Sequence, residues 1–373
     1  MDSVYDRKEG CCGCAACADI CPAGSILMEE DEEGFLYPSI DAATCTDCGL
    51  CRSVCAFNKA GAENGGTQEP RVFAAKHRDD ATRMGSTSGG AFTAISDIVL
   101  AKGGIVYGAL LGDELAVRHC RAQDRPSRDR LRGSKYAQSD AEGSFCKAAS
   151  DLASGAKVMF TGLPCQVGAL NEYLGLVGAD NDGLLTVDLV CYGAYSARLL
   201  REHISHLERL HGKRAAGYRF RPKESGWTTH REEISFEDGT KDDSTADSQL
   251  LKGLFLSNLI LRPSCHECPY ASSKRHSDIT IGDYWGVGRR FPDFKDELGV
   301  SVILFNTHKG KGMIAEVGKA MELRESDIAD CSRKQPSLNG PSASNPLREA
   351  FWADLKKHGY AHAAKRYTAA IEK

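Results

Sequence analysis

The chain has 373 residues, 42% of them apolar and 26% charged, with a net charge of −4. That composition suits a globular protein of two to three domains at ~100–200 residues each, and it excludes disordered, collagen-like and coiled-coil architectures. The slight acidity argues against a general nucleic-acid coat.

Cysteine is the outlier, at 16 residues. No apolar leader follows Met1-Asp2-Ser3, and no run approaches ~18 uninterrupted apolar residues. The expectation is a cytoplasmic chain without a membrane span, where thiols stay reduced and clustered cysteines signal metal or catalysis. Charge is uneven. Residues 1–60 hold 11 acidic and 4 basic side chains, so an acidic, cysteine-dense head precedes a near-neutral body. The Gly-rich, polar stretch 61–70 reads as a linker.

Within the head, Cys11, Cys14, Cys17 and Cys21 have the spacing C-x2-C-x2-C-x3-C, followed by Pro22. Cys45, Cys48, Cys51 and Cys55 repeat it, with Ala56 in place of the proline. Three cysteines on a tight loop reach three irons of one [4Fe–4S] cube, and the fourth ligates the other cube. Cluster I is therefore assigned to Cys11, Cys14, Cys17 and Cys55, and cluster II to Cys45, Cys48, Cys51 and Cys21. Zinc would favour paired C-x2-C units instead. Cys12 fits no ligand slot and reads as a packing residue. Between the motifs, Ser25–Met28 and Gly34–Pro38 flank an acidic turn and predict a short hairpin. The head, residues 1–58, resembles a bacterial two-cluster ferredoxin.

In the body, strands are predicted at 71–77, 104–111, 157–162, 184–190, 217–221, 231–236, 278–282 and 300–306. Helices are predicted at 89–100, 141–154, 165–174 and 196–210. The alternation indicates an α/β body with a substantial sheet. Beyond 310, helical stretches are expected at 312–323 and 345–371, forming a tail that covers the site, mediates oligomerisation or packs on the sheet. Cys165 and Cys191 each end an apparent strand, where ligand crevices form, and Cys265 and Cys268 form a C-x2-C loop. Spacing alone leaves two readings open: a third four-thiol site, or two core cysteines plus a zinc half-site. Cys120, Cys146 and Cys331 read as structural. Gly85–Gly90 (GSTSGG) precedes a helix and suits a phosphate cradle or a plain surface turn. The stretch 118–135 carries seven basic residues against Asp124 and Asp129. It reads as a solvated face or as a seat for an anion. His203 and His206 read as surface residues rather than a metal pair.

GSTSGG, GSKYAQS (133–139), FTGLPCQVGAL (160–170), DLVCYGAYS (188–196), CHECPY (265–270) and SDITIGDYWGVG (277–288) occur in an order that resembles the coenzyme F420 hydrogenase/dehydrogenase beta-subunit family. The resemblance implies a ferredoxin-like domain at 1–60 and a mixed α/β domain binding FAD and a [4Fe–4S] cluster at 71–310; the helical extension at 311–373 lies outside it. It implies three [4Fe–4S] clusters in all, the third on Cys165, Cys191, Cys265 and Cys268. It implies FAD held by Ser86, Thr87, Ser88, Gly89 and Gly90, by Ser134, Lys135, Tyr136, Gln138 and Ser139, and by Pro164 and Gln166. Lys135 would act at the flavin. Tyr192 stands where the family often has histidine.

The implied activity is an oxidoreductase that moves electrons between a ferredoxin-like redox partner and an organic substrate, F420 or another. A flavin exchanges both single electrons and pairs, so it belongs between clusters and substrate. The alternatives are an electron-transfer subunit of a larger complex, and a module whose clusters only hold the fold. An oligomer is compatible with either.

Overall fold

The computed structural model describes residues 3–59, 68–224 and 226–371; most of the expected linker, 61–67, lies outside the described residues. In the head, β1 (Ile26–Glu30) pairs antiparallel with β2 (Leu36–Ile40). Asp31 Oδ1 closes their turn by accepting from the Glu33 and Phe35 amides at 3.0 and 2.9 Å. The internal repeat is conformational as well as sequential. One short helix, Ala16–Asp19, is entered through Ala15 at φ 65°, and its counterpart, Leu50–Ser53, through Gly49 at φ 76°. Glycine adopts that left-handed turn freely, whereas alanine does so against its Cβ.

The body is built on β3 (Arg71–His77), β4 (Ile105–Leu111), β5 (Val117–Ala122), β6 (Val158–Gly162) and β7 (Leu184–Leu189). A small antiparallel sheet follows, of β8 (Ala215–Arg219), β9 (Glu233–Phe236) and β10 (Lys241–Asp242). The chain then returns with β11 (Ile279–Asp283), β12 (Ser301–Phe305) and β13 (Met321–Ser326). The eight-stranded sheet has the order β13-β3-β12-β11-β7-β6-β4-β5. Its centre, β4, β6, β7 and β11, is parallel, and its flanks are antiparallel.

Side chains alternate across the sheet, and both faces are covered. Val106, Met159 and Val187 face the helix Ala91–Ala101 on one side. Tyr107, Val158 and Phe160 face the helices Ser144–Ala153 and Pro164–Val177 on the other. Val4, Ala16, Ile26, Val54 and Ala56 of the head join this second core. Head and body therefore share one apolar interior instead of standing apart on a linker. Polar contacts reinforce it. Arg348 forks onto Glu33, Arg198 pairs with Glu30 at 2.9 Å, and the Gly143 and Phe145 amides donate to Asp19.

Three expectations change. Residues 312–323 are not one helix: the helix Ile314–Ala320 gives way to β13, which pairs with β3 and extends the main sheet beyond residue 310. Buried Met321 anchors that strand. Second, part of the basic stretch is an edge strand. Buried Val117 and Ala122 fix β5, and its exposed arginines blunt the open edge. Third, His203 and His206 are buried, not surface residues. Tyr360 Oη meets His203 Nδ1 at 2.8 Å, and His206 Nε2 meets Asp247 at 2.7 Å. No helix among the described residues is long and apolar enough to cross a membrane.

Candidate functional site

The head brings its cysteines together in two crossed sets. The Cys17 thiol is pushed up by burial and then by Cys14, Cys11 and Cys55; burial and the same neighbours raise Cys55 to about 11. Cys21, Cys45, Cys48 and Cys51 line a separate small cavity with Ser25 and Ile40. The sets are those expected from spacing: each triplet takes its fourth thiol from the other motif.

A third set forms in the body. Cys165 opens the helix after β6, Cys191 follows β7, and Cys265 and Cys268 sit on the loop around the 3-10 turn Pro263–His266. All four line one small cavity. Burial raises each thiol, Cys268 to about 11, and Cys191 and Cys268 are raised further by the thiols around them. A single tetrahedral ion draws its donors to ~2.3 Å, whereas a cube holds its thiolates apart on its corners. Among the described residues no group of three or more His, Cys, Asp or Glu is arranged to hold a single metal ion. Crowded, raised thiols also fit iron, whose charge deprotonates them.

The parallel strands end at a larger cavity of about 440 Å³. Its floor is the carboxyl ends of β4, β6, β7 and β11, through Gly108, Thr161, Leu189 and Ile281. Ser86, Thr87, Ser88 and Gly90 form one wall at the N-terminus of Ala91–Ala101, where backbone amides favour anions. Gly89 itself faces the sheet: a Cβ there would lie 2.4 Å from Ala75 O and 2.6 Å from Ser301 N. The Ser134 amide donates to Thr87 Oγ1 at 2.7 Å, tying the two expected flavin loops together. Tyr136 stacks on Phe255 at 5.1 Å, and the pair gives the cavity an aromatic face.

Charged groups in this cavity are perturbed by burial. Lys135 Nζ donates to Leu131 O and Arg132 O at 2.9 and 2.8 Å, and burial lowers its pKa to about 7. Two acceptors leave the ammonium a third N–H. Glu232, buried beside Lys252, is raised to about 8. His119 is lowered to about 4 by burial; its Nε2 lies 3.0 Å from Thr161 O and its Nδ1 2.9 Å from Ser139 Oγ. Gln166 Nε2 donates to the same Ser139 hydroxyl at 3.1 Å.

Ser139, Gln166, Ser134, Lys135 and Tyr136 all line this cavity, but Gly89, Gln138 and Pro164 do not. Pro164 lines the thiol cavity. Gln138 is turned toward the head, its amide donating to Cys12 O at 2.5 Å. The basic stretch divides. Arg132 and Lys135 face the cavity, while Arg121 pairs with Asp151 at 2.7 Å and Arg128 with Asp97 at 2.7 Å. Lys334, Gln335, Pro336 and Ser337 close the far side, so the tail does cover the cavity.

Residues 155–330 match the family described as the C terminus of the coenzyme F420 hydrogenase/dehydrogenase beta subunit, and residues 10–59 match the 4Fe-4S dicluster domain. Residues 155–330 belong to this beta-subunit family, and the head belongs with the dicluster domains. The head is similar to a ferredoxin of Methanocaldococcus jannaschii, at 36% identity over 58 residues, 16% of this chain and 73% of that protein. A chain of the F420-reducing [NiFe] hydrogenase complex from Methanosarcina barkeri shares the fold. It has a TM-score of 0.50 and 19% identity, and the match covers 73% of this chain and 88% of that one. The beta-subunit family match spans Cys165, Cys191, Cys265 and Cys268, and the dicluster match spans both head motifs.

Cys12 is buried, as a packing residue should be, with the Cys14 and Cys165 thiols beside it. Sequence reasoning missed Arg262, His119 and Glu232. Arg262 carried one signal, its place three residues before Cys265. His119 and Glu232 carried none, because their burial depends on distant strands.

Proposed function

We propose that the chain is an iron–sulfur flavoprotein oxidoreductase with three [4Fe–4S] clusters and FAD, exchanging electrons between a ferredoxin-like protein and an organic substrate. One observation carries this reading: Cys191 stands on a wall common to the inner thiol cavity and the 440 Å³ cavity. A cluster on Cys191 would adjoin whatever the larger cavity holds. That volume lies within the ~300–1,000 Å³ of small-molecule sites.

The residues fit a flavin dinucleotide. The Ser86–Gly90 loop and Arg132 suit its phosphates, and the aromatic face of Tyr136 and Phe255 suits a planar ring. FAD bound there would trade single electrons with clusters and pairs with substrate. The Lys135 ammonium would steady negative charge on the reduced ring. Glu232 holds a proton at neutral pH within the same cavity. Exposed Cys48, in the outer set of the acidic head, gives electrons an entry facing solvent, and that charge suits a basic partner surface.

The test is anaerobic purification followed by iron, sulfide and flavin analysis, with absorption spectra before and after reduced F420. About twelve iron and one FAD per chain are expected from three cubes. Bleaching by reduced F420 would identify a deazaflavin substrate, and its absence would direct the search to other organic substrates. About eight iron without flavin, with loss on purification excluded, would overturn the reading.

A second reading is favoured by the fold shared with a chain of a hydrogenase complex: an electron-transfer subunit without a substrate of its own. Turnover by the isolated chain decides against it.

A further inference from the structure

We propose that Arg262 is the charge that sets the reduction potential of the cluster on Cys11, Cys14, Cys17 and Cys55, and that it does so from the body of the protein. This rests on the cluster reading above. Arg262 is 1% exposed. Its Nη2 donates to Cys11 Sγ at 3.7 Å and to Leu36 O at 2.9 Å. Nε donates to Cys11 O at 2.8 Å and Nη1 to Gln138 Oε1 at 3.0 Å. The guanidinium lies over the Tyr37 ring at 4.2 Å and the Phe35 ring at 5.3 Å. Gly13 leaves the room for it, since a Cβ there would lie 2.6 Å from Nη1.

The same residue belongs to the inner set. Its carbonyl accepts from the Cys265 amide at 2.9 Å, and its own amide donates to Ala194 O. One arginine thus touches a ligand sulfur of the head and frames the ligand loop of the body.

The physical consequence follows from charge. Reduction adds one electron to a cluster already carrying thiolate charge, and burial disfavours that addition. Cluster potentials respond to net charge and to hydrogen bonds on sulfur. A buried guanidinium donating to Cys11 Sγ opposes the penalty, favours the reduced form and raises the midpoint. Arginine keeps its charge at every working pH, so the effect is constant. Without it, the buried cluster would be a barrier between the exposed outer set and the inner set.

The experiment is EPR-monitored redox titration of the full chain. Wild type, Arg262→Gln and Arg262→Lys are compared, the head signals being assigned with Cys55→Ser and Cys48→Ser. Arg262→Gln is expected to lower the reduced fraction of this cluster at least tenfold at fixed potential, ~59 mV for one electron. Arg262→Lys should restore most of that, with the outer cluster unmoved. An unmoved midpoint in Arg262→Gln, or equal shifts in both variants, would overturn the role of charge. If Arg262→Gln fails to retain iron, wild type labelled with 15N-arginine decides. A hyperfine coupling to this cluster's spin that vanishes in Arg262→Lys supports the contact, and its absence overturns it. Wild-type iron is measured first. Missing head clusters would overturn the cluster reading and this inference together, whereas full iron with an unmoved midpoint overturns this inference alone.

Discussion

Cys12 and Cys165 are thiol neighbours across the boundary between the acidic head and the sheet domain, on the wall of one small cavity. Cys14 neighbours Cys12 as well. The chain of thiols therefore runs from the inner head set through a non-ligand cysteine to the body set. Cys12→Ser keeps the packing and a donor but replaces the polarizable sulfur. It is expected to retain full iron while slowing electron transfer from the head to the inner cluster, measured by rapid-freeze EPR.

Cys191→Ser should lose about four iron per chain, one cube, with both head signals retained in EPR. Loss of the head signals as well would mean that the body set holds the head in place rather than holding a cluster.

Lys135 has a folded pKa of about 7, lowered by burial. The ammonium is present below that value and gone above it, so its help to a negatively charged reduced ring fades as pH rises through 7. The flavin midpoint plotted against pH should break near 7 in the wild type. That break should be missing in Lys135→Met.

Burial lifts Glu232 from 4.5 to about 8 in the folded chain. The folded state binds the extra proton, so this contribution to stability is full below pH 4.5 and is lost as pH rises through 8. Glu232→Gln should flatten the fall of Tm across that window. A variant with the wild-type slope would remove Glu232 as its source.

Gly89→Ala forces a Cβ against Ala75 O and Ser301 N, both backbone atoms. Overpacking of this kind costs about 1–3 kcal/mol. Urea unfolding should show that loss together with weaker flavin retention, because Gly89 sits inside the loop that forms the cavity wall.

Much of the site was legible because iron–sulfur ligation is written in local spacing. The C-x2-C-x2-C-x3-C repeat crosses over in space as its geometry requires, and the Cys11/Cys14/Cys17/Cys55 set could be named from spacing alone. The strands β6 and β12 were equally plain, since short apolar runs buried on both faces carry their own signature. β13 was not, because its alternation in MELRES follows directly on helical residues and its pairing partner, β3, is more than 240 residues away. Gln138 was misplaced for a related reason: Ser139 faces the cavity, while its neighbour points to the other side, toward Cys12.

The sequence by itself determined the grouping of the head thiols, the α/β body and the motifs around the cavity, because each depends on residues close together in the chain. Only the tertiary structure decided that head and body share one core, that Arg262 reaches Cys11 and that Cys12 bridges to Cys165. Those contacts join residues 251 and 153 positions apart, and they exist because burying Val54 and Ala56 against the sheet domain brings the two surfaces together. Apolar burial has no direction or sequence range, so its partners are fixed by packing rather than by spacing.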